Sequence, residues 1–210
     1  MGKKLNTTIG FDDAVKRLQA GDVCAFATDT VFGIGVRADQ ATSIEALYIA
    51  KQRPKTQALI VLCADLAMVK SLVKFSPAAD SLARLWPGSL TLILPTLSNN
   101  IISNQANLGL NNLGVRIPNS PQILRLLKAV GCPLATSSAN ISGQKTAQTL
   151  DEFHQQFGDK VPMLSAEEMP SGKESTIIQV EQNRTQIIRV GALSVAQIER
   201  HTGAKISPAI

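Results

Sequence analysis

Aromatic residues, histidines and cysteines are all scarce in this chain, and each shortage excludes a class of site. The 210 residues include six Phe, one Tyr and one Trp, too few for a platform on which nucleic-acid bases stack. The two histidines, His154 and His201, have no companions at ligand spacing, so a structural zinc site is not expected. The three cysteines, Cys24, Cys63 and Cys132, form no C-x-x-C pair and lie in apolar surroundings, which predicts reduced thiols in a core.

Long apolar runs are missing as well. The opening residues Met-Gly-Lys-Lys-Leu-Asn are not followed by an apolar signal core, so secretion is not expected. No apolar run approaches the roughly 18 residues that a membrane span needs. We therefore expect a cytoplasmic protein with no membrane partner.

The charge of the chain is mildly positive. Its 21 Lys and Arg residues outnumber 16 Asp and Glu residues, which gives a net charge of +5 and favours anionic partners such as nucleotides or RNA. The basic residues are spread along the chain, so they do not mark a nucleic-acid groove. An apolar content of 44% over 210 residues is typical of one globular α/β domain.

Helical and strand patterns alternate along the chain. Long loops are predicted at 28–40, 98–112 and 140–148. Apolar runs predict strands at 23–27, 59–63, 89–94, 113–117 and 134–137, and a hairpin of 177–180 with 186–190 over a turn at 182–185. Helical spacing predicts helices at 11–20, 42–53, 66–73, 78–85, 122–130, 150–157 and 195–201. This alternation predicts one α/β domain with a mixed sheet.

The predicted helix over 42–53 carries the first candidate site at its end. Thr42 and Glu45 match a capping box at its start. Lys51 follows Ile44, Leu47 and Tyr48 on one helix face, where a buried charge needs a partner.

Arg53 follows Lys51 where the helix must unwind before Pro54. Two cations at a helix end suit phosphate or carboxylate binding. The alternative is that they only complement the dipole at the helix C-terminus.

A second candidate site follows the strand predicted at 134–137. The segment Thr136-Ser137-Ser138-Ala139-Asn140 places small hydroxyl and amide groups at a strand end, where α/β proteins bind ligands. The alternative is an ordinary turn or helix cap, a role that serine and asparagine often fill.

Two further segments contain glycine and hydroxyl residues. The motif Gly33-x-Gly35-x-x-Ala38 is not a dinucleotide fingerprint, because no strand leads tightly into a helix there. Its glycines indicate a close approach of the backbone to a ligand or a strand. The other segment is Ser175-Thr176, with Arg189 and Gly191 further along. The chain has no Walker motif and no G-x-S-x-G elbow, so any ATP site lacks a P-loop and serine-hydrolase chemistry is not expected.

Taken together, these segments resemble the YrdC-like family over roughly residues 10 to 192. The resemblance rests on the order and spacing of the motifs, each of which is weak alone. They are Thr28-Asp29-Thr30-Val31-Phe32-Gly33-Ile34-Gly35, Lys51-Gln52-Arg53, Trp86-Pro87-Gly88-Ser89-Leu90-Thr91, Val115-Arg116-Ile117-Pro118, Ser138-Ala139-Asn140, Ser175-Thr176 and Arg189-Val190-Gly191.

The chain departs from the family pattern at a few positions. Ala27 and Ser89 stand where the family has proline, and Phe32 stands where it has tyrosine. The run Lys55-Thr56-Gln57-Ala58 replaces a commoner Asn-Pro-containing run. The additional C-terminal domain of longer relatives is not expected, which places the chain with the short, single-domain members.

The resemblance implies a fold and a reaction. The fold is a single YrdC-like domain over residues 1–210, with a core of about 10–192 and a twisted mixed β-sheet flanked by helices around a concave, positively charged face. The reaction joins L-threonine, bicarbonate and ATP into threonylcarbamoyl-adenylate and pyrophosphate, with Mg²⁺ accompanying ATP and no metal ligand from protein side chains. The adenylate then serves the threonylcarbamoyladenosine modification beside the anticodon of tRNA. The partners implied are a downstream threonylcarbamoyl transferase complex and tRNA, and the resemblance leaves open whether tRNA contacts this chain directly.

The resemblance also implies roles for individual residues. Lys51 and Arg53 are the expected catalytic cations. Threonine and bicarbonate are assigned to Thr28, Thr30, Arg116 and Ser175, and ATP to Lys51, Arg53, Thr136, Ser138, Asn140 and Arg189. Three alternatives stay open: an RNA-binding module with a basic concave face, an enzyme of the same fold that handles another carbamoyl-adenylate, and a nucleotide-binding paralogue without synthase activity.

Overall fold

A single mixed sheet organises the chain. The computed structural model describes residues 8–182 and 184–208, and within them ten strands pair in the order β1-β8-β2-β3-β7-β4-β6-β5-β9-β10. Parallel and antiparallel pairs alternate irregularly across the sheet. The strands are β1 (Thr8–Ile9), β2 (Cys24–Ala27), β3 (Phe32–Arg37), β4 (Ile60–Leu62), β5 (Leu90–Pro95), β6 (Asn112–Arg116), β7 (Leu134–Ser138), β8 (Met163–Leu164), β9 (Thr176–Glu181) and β10 (Arg184–Arg189).

Seven α-helices and one 3₁₀ turn (Ala83–Leu85) flank the sheet in the described residues. Five of the helices begin at a Ser, Thr or Asp whose side chain accepts a backbone N–H, which satisfies one of the free donors at a helix start. The helices are α1 (Phe11–Gln19), α2 (Ala41–Lys51), α3 (Leu66–Lys70), α4 (Pro77–Leu82), α5 (Pro121–Val130), α6 (Leu150–Phe157) and α7 (Val195–Thr202). The predicted mixed α/β architecture is confirmed.

The two faces of the sheet are covered unequally. The larger apolar cluster joins the sheet to α2, α4, α6 and α7 on one face. A smaller cluster packs α1 and α5 on the other face, against β2 and single buried residues of β4, β7 and β8. Since successive strand residues point to opposite faces, alternate residues of β4, β5, β6, β7 and β9 remain uncovered on the second face. This uncovered half becomes the floor of a cavity.

The prediction of a continuous loop over 28–40 is wrong, because Phe32–Arg37 forms strand β3 between β2 and β7. Glycine is depleted in strands, and Gly33 and Gly35 therefore indicated a loop. The structure shows that these glycines make room for the ring of Phe26, which lies against both of them.

The capping box predicted at Thr42 and Glu45 is also wrong. Helix α2 begins one residue earlier than expected, after Gln40, which makes no side-chain cap. Thr42 therefore lies inside the first turn, and Glu45 pairs with Lys55 instead, at 2.6 Å. The predicted end before Pro54 is confirmed, with Gln52 in the left-handed region at φ 51°.

The two-residue strands β1 and β8 were missed because they are too short to show a period. The helix predicted over 66–73 is shorter, and the one predicted over 78–85 ends in the 3₁₀ turn. Asn183 in the predicted turn at 182–185, and the first seven residues, lie outside the described residues.

Alanine scanning of the two strand glycines tests the role of Phe26. A Cβ at Gly35 would lie 2.9 Å from both Phe26 and Thr136, whereas a Cβ at Gly33 would have its nearest neighbour at 3.4 Å. We expect Gly35→Ala to lower the free energy of unfolding by about 1–3 kcal/mol because of overpacking. Gly33→Ala is the matched control in the same strand and should change stability less. Urea denaturation measures both, and equal losses would contradict this view of β3.

Candidate active site

The cavity over the uncovered half of the sheet has a volume of about 560 Å³. Its floor is built from strands β4, β5, β6, β7 and β9, and the loops after β2 and α2 form part of its wall. Of the ten residues predicted from the sequence, Lys51 and Asn140 lie behind Ser138 and not on the cavity wall. The other eight line the cavity: Thr28, Thr30, Arg53, Arg116, Thr136, Ser138, Ser175 and Arg189.

Lys51 is a buried cation held by neutral oxygens. Its side chain ends the inward face of α2, as the helix phase predicted, and the residue is only 1% exposed. The ammonium donates to the carbonyl oxygen of Ser138 and, at 3.2 Å, to Oδ1 of Asn140. No ion pair among the described residues includes Lys51. A buried charge without a counter-ion is costly, so the site favours the arrival of an anion.

The electrostatics of Lys51 follow from this burial. The pKa of the ammonium falls from 10.5 to about 7, first because of desolvation by burial and second because of the nearby charge of Arg53. The carboxylate of Glu174 opposes this shift. Lys51 is therefore close to losing its proton near neutral pH, and a bound polyanion would favour the charged form.

Ser138 and Asn140 form a fixed unit beside Lys51. The Ser138 hydroxyl donates to Asn140 Oδ1 at 2.7 Å. The same oxygen accepts a hydrogen bond from the Lys51 ammonium. The Asn140 amide nitrogen donates to the carbonyl oxygens of Ile141 and Gln144 at 3.0 and 2.9 Å. The carboxamide orientation is thus set by four contacts, and it orients the Ser138 side chain at the cavity wall.

Arg53 reaches the cavity from the loop after α2. Its guanidinium donates to the hydroxyl of Ser137 at 3.3 Å and to the carbonyl oxygens of Gln57 and Ala58. Tyr48 also donates to the Gln57 carbonyl, at 2.8 Å, so the Lys55–Ala58 run is tied to the helix. Burial lowers the pKa of Arg53, although arginine keeps its charge at neutral pH.

Thr28 and Thr30 form a directed chain of hydroxyls. Thr28 gives its single proton to the Val31 carbonyl at 2.7 Å, so in its 3.0 Å contact with Thr30 it must accept. Thr30 accepts in turn from Arg116 Nη1 at 2.8 Å. Both hydroxyl protons are therefore used within the protein. The Thr28 oxygen also accepts from the backbone N–H groups of Thr30 and Val31, both at 3.2 Å, so only the Thr30 oxygen keeps a lone pair for a ligand.

Arg116 leaves the end of β6 and forms a buried ion pair. Its Nη2 lies 2.6 Å from Oδ1 of Asp29, and the two side chains are 6% and 12% exposed. Its Nε donates to the carbonyl oxygen of Gly88 at 2.9 Å. Burial lowers the pKa of Arg116, an effect that Asp29 opposes.

Ser175, Arg189 and Glu174 lie together on the β9 and β10 side of the cavity. Arg189 donates to the Ser175 carbonyl at 2.9 Å and pairs with Glu174 at 2.5 Å, with both charged side chains 38% exposed. The Ser175 hydroxyl shares a 2.9 Å hydrogen bond with Thr91. Thr136, in contrast, donates to the Ile60 carbonyl and so serves the floor of the cavity.

Sequence reasoning assigned no role to several polar residues in or beside this cavity. Asp29 and Ser89 fell inside the recognised motifs, and Glu174 directly precedes Ser175, but no pattern distinguished them from ordinary loop residues. Asn107 lines the cavity from the loop predicted over 98–112. Its side-chain amide donates to main-chain carbonyls on both sides of a turn, at Leu110 and Asn112.

The described residues provide no group of three His, Cys, Asp or Glu side chains that could hold a metal ion. The three cysteines are buried and unpaired, as predicted. In the same part of the chain, every helix is too short or too polar to cross a bilayer.

Comparison with known proteins places the chain among characterised relatives. The Sua5/YciO/YrdC family model, described as telomere recombination, matches residues 16–191. The chain is 32% identical to threonylcarbamoyl-AMP synthase of Bacillus subtilis over 90% of its length, which is 56% of that protein. It is 31% identical to threonylcarbamoyl-AMP synthase of Vibrio campbellii, with 86% of the chain and 98% of that protein covered.

A solved structure gives the same result for the fold. P. abyssi Sua5, crystallised in complex with L-threonine, superposes with a TM-score of 0.87 and 30% identity. The match covers 94% of this chain and 58% of the Sua5 chain. The chain thus spans little more than half the length of its long relatives and nearly all of the short one.

The buried ammonium predicts a pH-dependent cost to stability. Between about pH 7 and 10.5 the unfolded chain holds a proton on Lys51 that the folded chain has lost, so the stability of the wild type rises with pH there. We therefore compare the free energy of unfolding of Lys51→Met with that of the wild type. The value for the variant, relative to the wild type, should fall by about 2 kcal/mol between pH 7 and pH 9. Urea denaturation at each pH measures it.

Lys55→Met controls for the loss of a positive charge, because Lys55 is an exposed lysine four residues further along. A difference between Lys51→Met and the wild type that stays constant over this pH range would contradict the burial argument.

Proposed function

The chain belongs to the Sua5/YciO/YrdC family, and from that premise we propose that it joins L-threonine, bicarbonate and ATP into threonylcarbamoyl-adenylate, with release of pyrophosphate. One observation carries the proposal. A single cavity brings three arginines and the hydroxyls of Thr28, Thr30, Ser138 and Ser175 together, with the buried Lys51 directly behind its wall. All three substrates carry negative charge, and such a site is built to hold anions close to one another.

The reaction needs two bond-forming steps. The threonine amine attacks the carbon of bicarbonate, water leaves, and a carbamate forms. A carbamate oxygen then attacks the α-phosphorus of ATP in line with the departing pyrophosphate. The product is a mixed anhydride of the carbamate and AMP. Neither step uses a protein nucleophile, so positioning and charge stabilisation carry the catalysis.

The arrangement of the site divides into two ends. Arg53, Ser138 and Lys51 lie at the end of α2 and β7, and we assign the ATP phosphates to this end, with Asn140 holding Ser138 and Lys51 in place. The lowered pKa of Lys51 supports this role, since a triphosphate would supply the missing counter-charge. Thr136 and Arg189 are the remaining residues that we assign to the nucleotide.

At the other end, we assign the carboxylate of threonine to Arg116. The Thr30 oxygen lies beside it and keeps one acceptor lone pair, which suits the threonine ammonium group, and we assign Thr28 to this end because its hydroxyl accepts from Thr30 and so orients it. Ser175 completes this end of the cavity, where we place threonine and bicarbonate.

Magnesium fits the site only as a companion of ATP. Glu174 is the one carboxylate among the described residues on the cavity wall, and it pairs with Arg189. The site therefore suits a Mg²⁺ ion held by phosphate oxygens and water, where it offsets the triphosphate charge.

The wider context is part of the same proposal. The adenylate would be consumed by a threonylcarbamoyl transferase complex that modifies tRNA beside the anticodon, and tRNA binding by this chain is part of the proposal. We place the reaction in the cytoplasm, which the three reduced thiols support. We also propose that the chain acts as a single domain with a core of about 10–192, since one sheet joins its first and last described strands.

Threonine-dependent pyrophosphate release tests the proposal. With ATP, Mg²⁺, bicarbonate and L-threonine, the wild type should release pyrophosphate, and omission of threonine or bicarbonate should abolish the release. Lys51→Ala should lower kcat/KM about 100-fold or more, because one preorganised charge in a catalytic site typically contributes a few kcal/mol.

Lys55→Ala is the matched control, because Lys55 is exposed and pairs with Glu45 outside the cavity. It should retain the wild-type rate. Pyrophosphate release that is independent of threonine, or a Lys51→Ala variant as active as Lys55→Ala, would exclude the proposed reaction.

A further inference from the structure

The turn before β5 contacts both partners of the buried ion pair. Its Gly88 carbonyl accepts from Arg116 Nε at 2.9 Å, and the Ser89 hydroxyl donates to Asp29 Oδ2 at 3.1 Å. Arg116 and Asp29 meet between these two contacts through Nη2 and Oδ1. The turn, the cation and the carboxylate therefore form one closed network.

The backbone of this turn is itself fixed. The Gly88 N–H donates to the carbonyl of Ile117, next to Arg116, and the Ser89 carbonyl accepts from Thr176 on β9. A Cβ at Gly88 would lie 2.3 Å from the Leu85 carbonyl oxygen, so this tight path requires glycine. The network is thus anchored to two strands of the cavity floor.

The donors of Arg116 can be counted. A guanidinium has five N–H groups, and partners in the described residues take three of them: Gly88, Thr30 and Asp29. One N–H is left on each terminal nitrogen, and Arg116 lines the cavity. A carboxylate that accepts from both terminal nitrogens gains a bidentate, oriented contact.

We propose that Asp29 and Ser89 are positioning residues, which fix the Arg116 guanidinium so that its two remaining N–H groups meet the carboxylate of the amino-acid substrate. The inference rests on the proposed function and adds two residues to it. Asp29 also offsets the charge of Arg116, so this end of the cavity recognises a carboxylate by direction more than by net charge. The hydroxyl of Ser89 acts on Arg116 only through Asp29, since its donation goes to the second carboxylate oxygen of that residue.

Threonine affinity of single variants tests the proposal, with isothermal titration of L-threonine and steady-state kinetics as the two readouts. Asp29→Asn should raise the Kd and KM for threonine about 10- to 100-fold, the range of a lost charge-assisted hydrogen bond. Ser89→Ala should raise them about 3- to 10-fold, as expected for one neutral donor to a carboxylate. The KM for ATP should stay within about 2-fold in both variants, because the network does not reach Lys51.

Matched controls and a double variant separate positioning from general damage. Asp80→Asn breaks the exposed pair with Lys70, and Ser71→Ala removes an exposed hydroxyl, so both should behave as wild type. If Ser89 acts through Asp29, Ser89→Ala should raise the Kd for threonine less in the Asp29→Asn variant than it does in the wild type. Ser89→Ala alone keeps the test available if Asp29→Asn does not fold.

The outcomes distinguish the inference from the proposed function. Equal losses of threonine and ATP affinity, or fully additive effects in the double variant, would overturn the positioning role. Threonine binding by the wild type without pyrophosphate release would overturn the proposed reaction while the variants still report on Arg116. A wild type that does not bind threonine would overturn both.

Discussion

The ammonium of Lys51 is the constraint on which the active site depends. It lies at the inner end of α2, 1% exposed, and its partners are the neutral oxygens of Ser138 and Asn140. Neutral oxygens offset only part of the cost of burying a charge, so the pKa falls to about 7. In the proposed reaction, an anionic substrate would supply the missing charge. The same contact fixes the strand end that carries the cavity hydroxyls.

Arg116 presents the opposite solution at the other end of the cavity. Its charge is compensated by Asp29 at 2.6 Å, and its remaining donors are oriented by the Gly88 carbonyl and the Thr30 hydroxyl. The Lys51 end therefore offers uncompensated positive charge, which suits a triphosphate. The Arg116 end offers oriented N–H donors, which suit a small carboxylate. This division follows from the sheet, since the floor strands carry both ends on one face.

Much of the fold and the site could be predicted from the sequence, for physical reasons. Helix phase placed Lys51 inward because its stripe of Ile44, Leu47 and Tyr48 repeats at 3.6 residues. Strand β3 was missed because its glycines serve the packing of Phe26, a contact that no local pattern shows. Asp29 and Ser89 were missed as site residues because the contacts that involve them are distant in sequence. Asp29 pairs with Arg116, 87 residues away, and Ser89 donates to Asp29, 60 residues away.

The titration of Lys51 is the most direct test of the claim that a bound anion stabilises its charged form. In protein labelled with ¹³C-lysine, with Lys51→Arg for assignment, the Lys51 side-chain signal should titrate near pH 7 without ligand. With ATP bound, the midpoint should move to higher pH, because the phosphates favour the charged form. A midpoint near the ordinary 10.5, unchanged by ATP, would contradict the account.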